Sequence, residues 1–134
     1  MSYIDPRGII ESGSRKARSD SRKLLFLPDK KLLSLIEDSQ NKFRRLLKVH
    51  YGSLSGITIS GILTGCLNKY LLNESTSSSM GLAIFISFIE IGSYLTLLAP
   101  KIMSDISYNY QLRDYARKEY KSRLEKGLVQ ELSN

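Results

Sequence analysis

One acidic residue, Glu90, stands alone in a long apolar stretch of this 134-residue chain. The stretch extends from Met80 to Pro100, and Glu90 is its only charged residue. A charged side chain at the centre of a bilayer costs about 2.5–3.5 kcal/mol on insertion scales, so such residues contact polar partners or take part in ion transfer. We therefore predict that Glu90 is either an intramembrane polar contact, made to a hydroxyl group of another helix, or a proton site.

An earlier apolar stretch, residues 49–68, contains small residues that recur at four-residue intervals. Residues at this spacing share one face of a helix, and small side chains there let helix backbones approach closely in lipid. The predicted helix-packing face contains six residues: Gly52, Gly56, Ser60, Thr64, Gly61 and Gly65. We expect this face to pack against the second apolar helix or against another protein.

Four basic residues come just before this face, namely Lys42, Arg44, Arg45 and Lys48. Apolar residues recur between them at helical spacing, which is typical of an amphipathic helix at a membrane surface. Each basic residue near an anionic surface contributes about 1 kcal/mol to binding. We predict that these side chains bind anionic headgroups; packing of the same helix against a partner subunit is the alternative, and the two are compatible.

The composition argues against enzymatic chemistry. A single Cys and a single His exclude an internal disulfide framework and zinc sites built from repeated Cys and His pairs. The sequence contains no glycine-rich phosphate loop and no nucleophile motif. We therefore predict no catalytic residue, no metal, no cofactor and no small-molecule substrate.

The distribution of charge indicates which elements carry these residues. Residues 1–50 hold 12 Lys and Arg and 6 acids, whereas residues 51–100 hold one Lys and two Glu. The net charge of +7 and the mean hydropathy of -0.18 are therefore averages over charged ends and an apolar middle. The middle contains two stretches of about 20 residues, the length that a helix needs to cross a bilayer. Two buried helices in a soluble bundle are the alternative.

The predicted fold class is an all-α membrane protein, a two-span transmembrane helical hairpin with an N-terminal amphipathic interfacial helix and a C-terminal charged helical arm. Pro100 is expected to end the second span, because it lacks a backbone donor and disfavours helix in the residue before it. The segments are a disordered basic N-terminus at 1–28, the amphipathic helix at 29–48, a first transmembrane helix at 49–68, a polar loop at 69–79, a second transmembrane helix at 80–100, and the arm at 101–134.

Lysine and arginine residues next to the spans predict the orientation. They cluster before the first span and after the second, whereas the loop holds only Lys69. Because positive charge marks the cytoplasmic side, both termini are expected on the cytosolic, matrix or stromal side. An organellar membrane such as the mitochondrial inner membrane or the endoplasmic reticulum is favoured.

The leading functional hypothesis is a non-catalytic accessory subunit or assembly factor of a larger membrane protein complex. Its expected partners are a bilayer with anionic headgroups and other membrane protein subunits, including copies of itself. The first alternative is a self-assembling pore or a proton- or ion-handling oligomer that uses Glu90. The second alternative is a peripheral protein that binds nucleic acid through its basic N-terminal half. Acids interleaved with the tyrosines of the C-terminal arm argue against base stacking there, and we predict no nucleic-acid partner.

Overall fold

The computed structural model of the chain describes residues 6–127, and over that range it contains only helices and short turns. The elements are α1 at Pro6–Leu24, α2 at Asp29–Leu71, α3 at Thr76–Ser93, a π-helical turn at Tyr94–Leu98 and α4 at Ala99–Glu125. The predicted all-α fold class is thereby confirmed. The ends of two predicted segments, residues 1–5 and 128–134, lie outside the described residues.

Residues 1–28 were predicted to be disordered. That prediction is wrong for Pro6–Leu24, which form helix α1. Its small residues allow a close approach to α4: a Cβ on Gly13 would overlap the Ser104 carbonyl group. The hydroxyl groups of Ser14 and Ser107 are hydrogen-bonded at 3.1 Å, and Ala17 is fully buried. A composition rich in Gly, Ser and charge predicts disorder when apolar burial alone is counted. Here small side chains pair their hydroxyl groups across a close helix contact, so the segment folds.

Helix α2 joins two segments that were predicted separately. The amphipathic helix at 29–48 and the span at 49–68 form one helix of 43 residues. The following connection is shorter than the predicted loop, because α3 begins at Thr76. The Ser75 hydroxyl group accepts a hydrogen bond from the backbone N–H of Ser78 at 3.1 Å. Ser75 therefore caps one of the unpaired donors at the start of α3.

Pro100 does not end the helix that it was expected to end. The segments α3, the π-helical turn and α4 form a continuous helix, Thr76–Glu125, of 50 residues. Within the turn before Pro100, the backbone N–H of Ala99 bonds to the carbonyl oxygen of Tyr94, five residues earlier. A proline removes one backbone donor and crowds the preceding turn. A wider turn at this point is one of the local adjustments that let a helix continue past such a site.

The described residues fall into two compact units. The three-helix unit comprises residues 6–47 and 102–127, and the antiparallel pair comprises residues 48–101. The core of the three-helix unit is apolar, and its buried residues are Ala17, Leu24, Leu32, Leu112 and Ala116. Burial of such side chains from water is the ordinary driving force for folding.

Arg123, on α4, forms hydrogen bonds to the turn between α1 and α2 inside the three-helix unit. Its guanidinium group donates to Oδ1 of Asp29 at 2.8 Å and to Oε1 of Glu119 at 2.8 Å. It also donates to the carbonyl oxygens of Leu24, Leu25 and Leu27. The three carbonyl groups lie at the C-terminal end of α1 and in the turn that follows it. Hydrogen bonds to Glu119 and Asp29 raise the pKa of Arg123.

One helix among residues 6–127, Thr76–Glu125, is long and apolar enough to cross a membrane. Only 11% of its most apolar 18-residue window is buried inside the protein, whereas the core helix of a soluble protein is mostly buried. Helix α2 is not apolar enough by the same standard, because Ser, Thr and Gly residues dilute its C-terminal half. The fold is consistent with membrane localisation through one clearly apolar helix.

Candidate functional site

Glu90 lies on α3 and faces α2 within the antiparallel pair. The Ser60 hydroxyl group donates a hydrogen bond to Oε1 of Glu90 at 2.9 Å. The second carboxyl oxygen, Oε2, is buried and has no hydrogen-bond partner among the described residues. Residues 6–127 therefore satisfy one oxygen of this carboxyl group and supply no donor to the other.

The glycine pair of Gly61 and Gly65 forms the close contact between α2 and α3. A Cβ on Gly61 would overlap the Ser87 hydroxyl group, and one on Gly65 would lie 3.0 Å from the Cβ of Ala83 and 3.3 Å from the Ser79 carbonyl oxygen. A Cβ at Gly61 would displace the Ser87 hydroxyl group from its position, and one at Gly65 would push α3 away by a few tenths of an ångström.

Two further polar contacts lie along the same face of the antiparallel pair. Nδ2 of Asn68 donates to Oγ of Ser79 at 3.2 Å, and both side chains are buried. Towards the other end, Nδ1 of His50 and the Tyr94 hydroxyl group are hydrogen-bonded at 2.5 Å. Sequence reasoning did not select Asn68, Ser79 or Tyr94, because the spacing along one helix does not reveal which polar residue lies opposite on another.

The outer surface of the antiparallel pair is apolar, in contrast to the polar contact between its two helices. Its large apolar side chains are exposed; Phe88 and Leu97, for example, are 73% and 76% exposed. Other exposed members of this surface are Ile59, Ile62, Leu63, Leu67, Ile84, Phe85, Ile89 and Leu95. The pair therefore places polar and small residues at the contact between helices and apolar residues on the outside.

Two members of the predicted helix-packing face, Gly52 and Gly56, are not covered by α3. No heavy atom lies within 4 Å of a Cβ built on Gly52 or Gly56, apart from the local backbone of α2. Nine residues separate Gly52 from Gly61, which at 100° per residue places them on opposite sides of the helix. Thr64 is half-buried, and its hydroxyl group donates to the Ser60 carbonyl oxygen of its own helix at 2.9 Å.

An open groove of about 620 Å³ lies beside Glu90 on the surface of the antiparallel pair. Its small and polar lining consists of Ser53, Gly56, Ser60, Glu90 and Ser93. Aliphatic and aromatic side chains, Ile57, Ile89, Tyr94, Leu97 and Leu98, complete the lining. The groove therefore combines a polar strip containing the unsatisfied carboxyl group with apolar borders.

The predicted membrane-surface residues Lys42, Arg44, Arg45 and Lys48 are all exposed on α2. None of the four forms an ion pair within the part of the chain that the structure describes. Their charges are thus available to an external anion.

Another basic residue of the three-helix unit packs against aromatic rings. The Arg113 guanidinium group lies 4.8 Å from the ring centre of Tyr110 and 5.5 Å from that of Phe43.

A titratable pair lies away from the groove, in the three-helix unit. The Tyr108 hydroxyl group donates to Oδ2 of Asp20 at 2.9 Å. Burial, together with this hydrogen bond, raises the pKa of Tyr108 to about 12. The same hydrogen bond, and a second one from Lys23, lower the pKa of Asp20. Both shifts stabilise the pair in its neutral-tyrosine and charged-aspartate form.

Glu90 has few kinds of functional group around it in the groove. Its near neighbours in the groove are hydroxyl groups and apolar side chains, and the His50 ring is bonded to Tyr94. Residues 6–127 contain no group of three or more His, Cys, Asp or Glu side chains that could hold a metal ion. Comparison with protein-family models, curated proteins and solved structures found no match to this chain.

Proposed function

We propose that this chain is a small integral membrane protein that binds other membrane proteins without catalysis, as an accessory subunit or assembly factor of a larger complex. In this proposal the antiparallel pair is a two-span hairpin, with residues 49–68 and 80–100 in the bilayer. The main supporting observation is the distribution of polar residues in the pair. The contact between the two helices is polar, and the outer surface is apolar.

This distribution favours lipid over water as the surrounding medium. Exposed aromatic and aliphatic side chains at such density would be unfavourable on a water-soluble monomer. In a bilayer the same side chains face hydrocarbon, while small residues and interhelical hydrogen bonds hold the helices together. The three-helix unit has the ordinary arrangement, with an apolar core and charged residues outside, and suits an aqueous compartment.

The dimensions suit this topology as well. Residues 80–100 rise about 32 Å as a helix, against a hydrocarbon thickness of about 30 Å. Residues 6–47 and 102–127 pack in one unit, which supports a topology with both on the same side of the membrane. The excess of Lys and Arg before residue 49 supports the cytosolic, matrix or stromal side. The dilution of α2 by Ser and Gly is compatible with a span, because several of these residues face α3.

Membrane insertion is tested by alkaline carbonate extraction combined with labelling of single cysteines. In a Cys66→Ser background, Ser77→Cys reports on the start of α3 and Ser19→Cys on α1. An impermeant maleimide added to sealed vesicles is expected to label one position, and to label the other only after the membrane is permeabilised. Release by carbonate, or labelling of both positions from one side, would overturn the two-span topology.

The accessory role is tested by purification in mild detergent and native electrophoresis. A complex of fixed stoichiometry with other membrane proteins is expected, and Gly56→Leu should dissociate it by filling the groove. Gly92→Leu is the matched control, because Gly92 also has no heavy atom within 4 Å of its Cβ position and does not line the groove. A monomer, or an oligomer of this chain alone, would contradict the accessory role; the oligomer would favour the pore hypothesis.

A further inference from the structure

We infer that the groove beside Glu90 receives a transmembrane helix of another protein, and that this helix carries a basic side chain at the depth of Glu90. The inference rests on the proposed function, because it places the groove in the bilayer. It names the chemistry of the partner, which the proposed function leaves open.

The need for a donor is the first step. Glu90 lies 14 positions into the helix that begins at Thr76, and thus far from either end of residues 80–100. Ser60 donates to Oε1, whereas Oε2 is buried without a partner among the described residues. Water is scarce at this depth of a bilayer, so the missing hydrogen bond has to come from a protein group. Glu90 lines the groove, so a helix seated there brings its side chains to this carboxyl group.

The shape of the groove is the second step. Ser53, Gly56 and Ser60 follow one another at spacings of three and four residues on α2, and all three line the groove. No atom of α3 lies within 4 Å of a Cβ at Gly56, unlike at Gly61 and Gly65, where α3 already occupies the space. A strip of small residues lets a helix backbone come close. The surface formed by Ser53, Gly56 and Ser60 is therefore free to receive a helix that does not belong to the antiparallel pair.

The sign of the charge is the third step. Residues 49–68 and 80–100 contain no Lys or Arg, so the chain has no cation of its own to place opposite Glu90. For the same reason a second copy has none to offer, and a symmetric pair of copies brings two Glu90 carboxyl groups to the same depth. Intramembrane acids and bases pair with one another, because each removes the cost of the other's charge. Charge complementarity thus selects a different protein with a Lys or Arg in its span.

The test uses the full chain reconstituted in lipid vesicles and a synthetic host helix of Leu and Ala as the probe. Three versions of the host carry Lys, Gln or Leu at the central position, and energy transfer between labels on the chain and on the host reports binding. The Lys host is expected to bind about tenfold more tightly than the Leu host, the scale of one charge-assisted contact in a membrane.

Three variants assign the binding to the groove. Glu90→Gln keeps a polar side chain of the same shape, so it should remove the advantage of the Lys host over the Gln host. Gly56→Leu should weaken binding of the Lys host about tenfold by filling the strip. Gly92→Leu, the control, should leave binding unchanged.

Several results would overturn the inference. Equal binding of the Lys and Leu hosts would remove the role of charge, and an unchanged Lys preference in Glu90→Gln would place the contact elsewhere. Energy transfer between two labelled copies that is lost in Gly56→Leu would make a second copy the occupant. Absence of binding by every host would leave lipid in the groove. Each of these can occur in a chain that passes the carbonate and labelling tests, whereas failure of those tests overturns the proposed function itself.

Discussion

Arg123 and Asp29 form an ion pair of 2.8 Å although 94 positions separate them in the sequence. The Arg123 side chain is only 15% exposed, and its remaining donors bond to Glu119 and to carbonyl groups of the turn between α1 and α2. One side chain thus fixes the position of this turn on α4. This is a larger role than an exposed ion pair usually has.

Arg123→Ala is expected to destabilise the three-helix unit by about 1–3 kcal/mol, because several partly buried acceptors lose a donor at once. Thermal unfolding of the purified chain, followed by circular dichroism, measures the change. Lys121→Ala is the control on the same helix, since Lys121 pairs with Glu125 but is 79% exposed. A loss for Arg123→Ala no larger than for Lys121→Ala would contradict this account.

Gly13→Ala is expected to destabilise the contact between α1 and α4 by about 1–3 kcal/mol, although Ala has the higher helix propensity. The added Cβ would meet the backbone carbonyl group of Ser104, which cannot rotate away. Guanidinium titration of the purified chain gives the free energy of unfolding. Ser19→Ala, at an exposed position of α1, should change it little. A stabilised Gly13→Ala variant would mean that the helices separate at no cost.

The hydrogen bond between Tyr108 and Asp20 predicts stability losses at both ends of the pH scale. The pKa of Tyr108 is raised from about 10 to about 12, so the unfolded chain loses this proton first and stability falls as the pH rises through that interval. The pKa of Asp20 is lowered, so its contribution is present above pH 4 and is lost as the pH falls through its folded value.

Tyr108→Phe should therefore cost about 1 kcal/mol at neutral pH and reduce the slope of stability against pH between pH 10 and 12. Urea titrations at a series of pH values measure both effects. Tyr120→Phe, which alters another tyrosine packed against the same core, should leave the slope unchanged. An unaltered alkaline slope in Tyr108→Phe would show that this hydroxyl group does not titrate as described.

The contact between Ser60 and Glu90 is expected to couple the two helices of the antiparallel pair by about 0.5–1.5 kcal/mol. A double-mutant cycle of Ser60→Ala and Glu90→Gln, measured by unfolding in mixed detergent micelles, gives the coupling energy. Ser55→Ala supplies the control cycle, because Ser55 is exposed on the same helix. A coupling energy near zero for Ser60 would mean that the hydrogen bond contributes nothing to the pair.

Local spacing explains much of what could be predicted. Residues four apart are neighbours on the surface of a helix, and Asp114 with Lys118 and Lys121 with Glu125 form ion pairs at this spacing. Helix α4 ends at Glu125 and is followed by Gly127, whose φ of 64° is one that glycine adopts readily after a helix. These features depend on contacts between neighbours in the chain, so a single sequence carries them.

The N-terminal helix and the passage through Pro100 could not be predicted in this way. Helix α1 depends on Ser14, Gly13 and Ala17 meeting α4, about 90 residues further along the chain. The helix continues through Pro100 after a π-helical turn, whose backbone bonds have no marker in residue type. In both cases the deciding interactions come from the three-dimensional arrangement rather than from adjacent residues.

The sequence by itself determined the helical class, the apolar character of residues 80–100 and the isolation of Glu90 within them, because each is a property of residue type along one chain. Only the tertiary structure decided which small residues are covered by a neighbouring helix. Gly61 and Gly65 pack against α3, whereas Gly56 remains open beside a carboxyl group that is half satisfied. The reason is geometric: four-residue spacing defines a face, but the neighbouring helix decides whether that face is already covered.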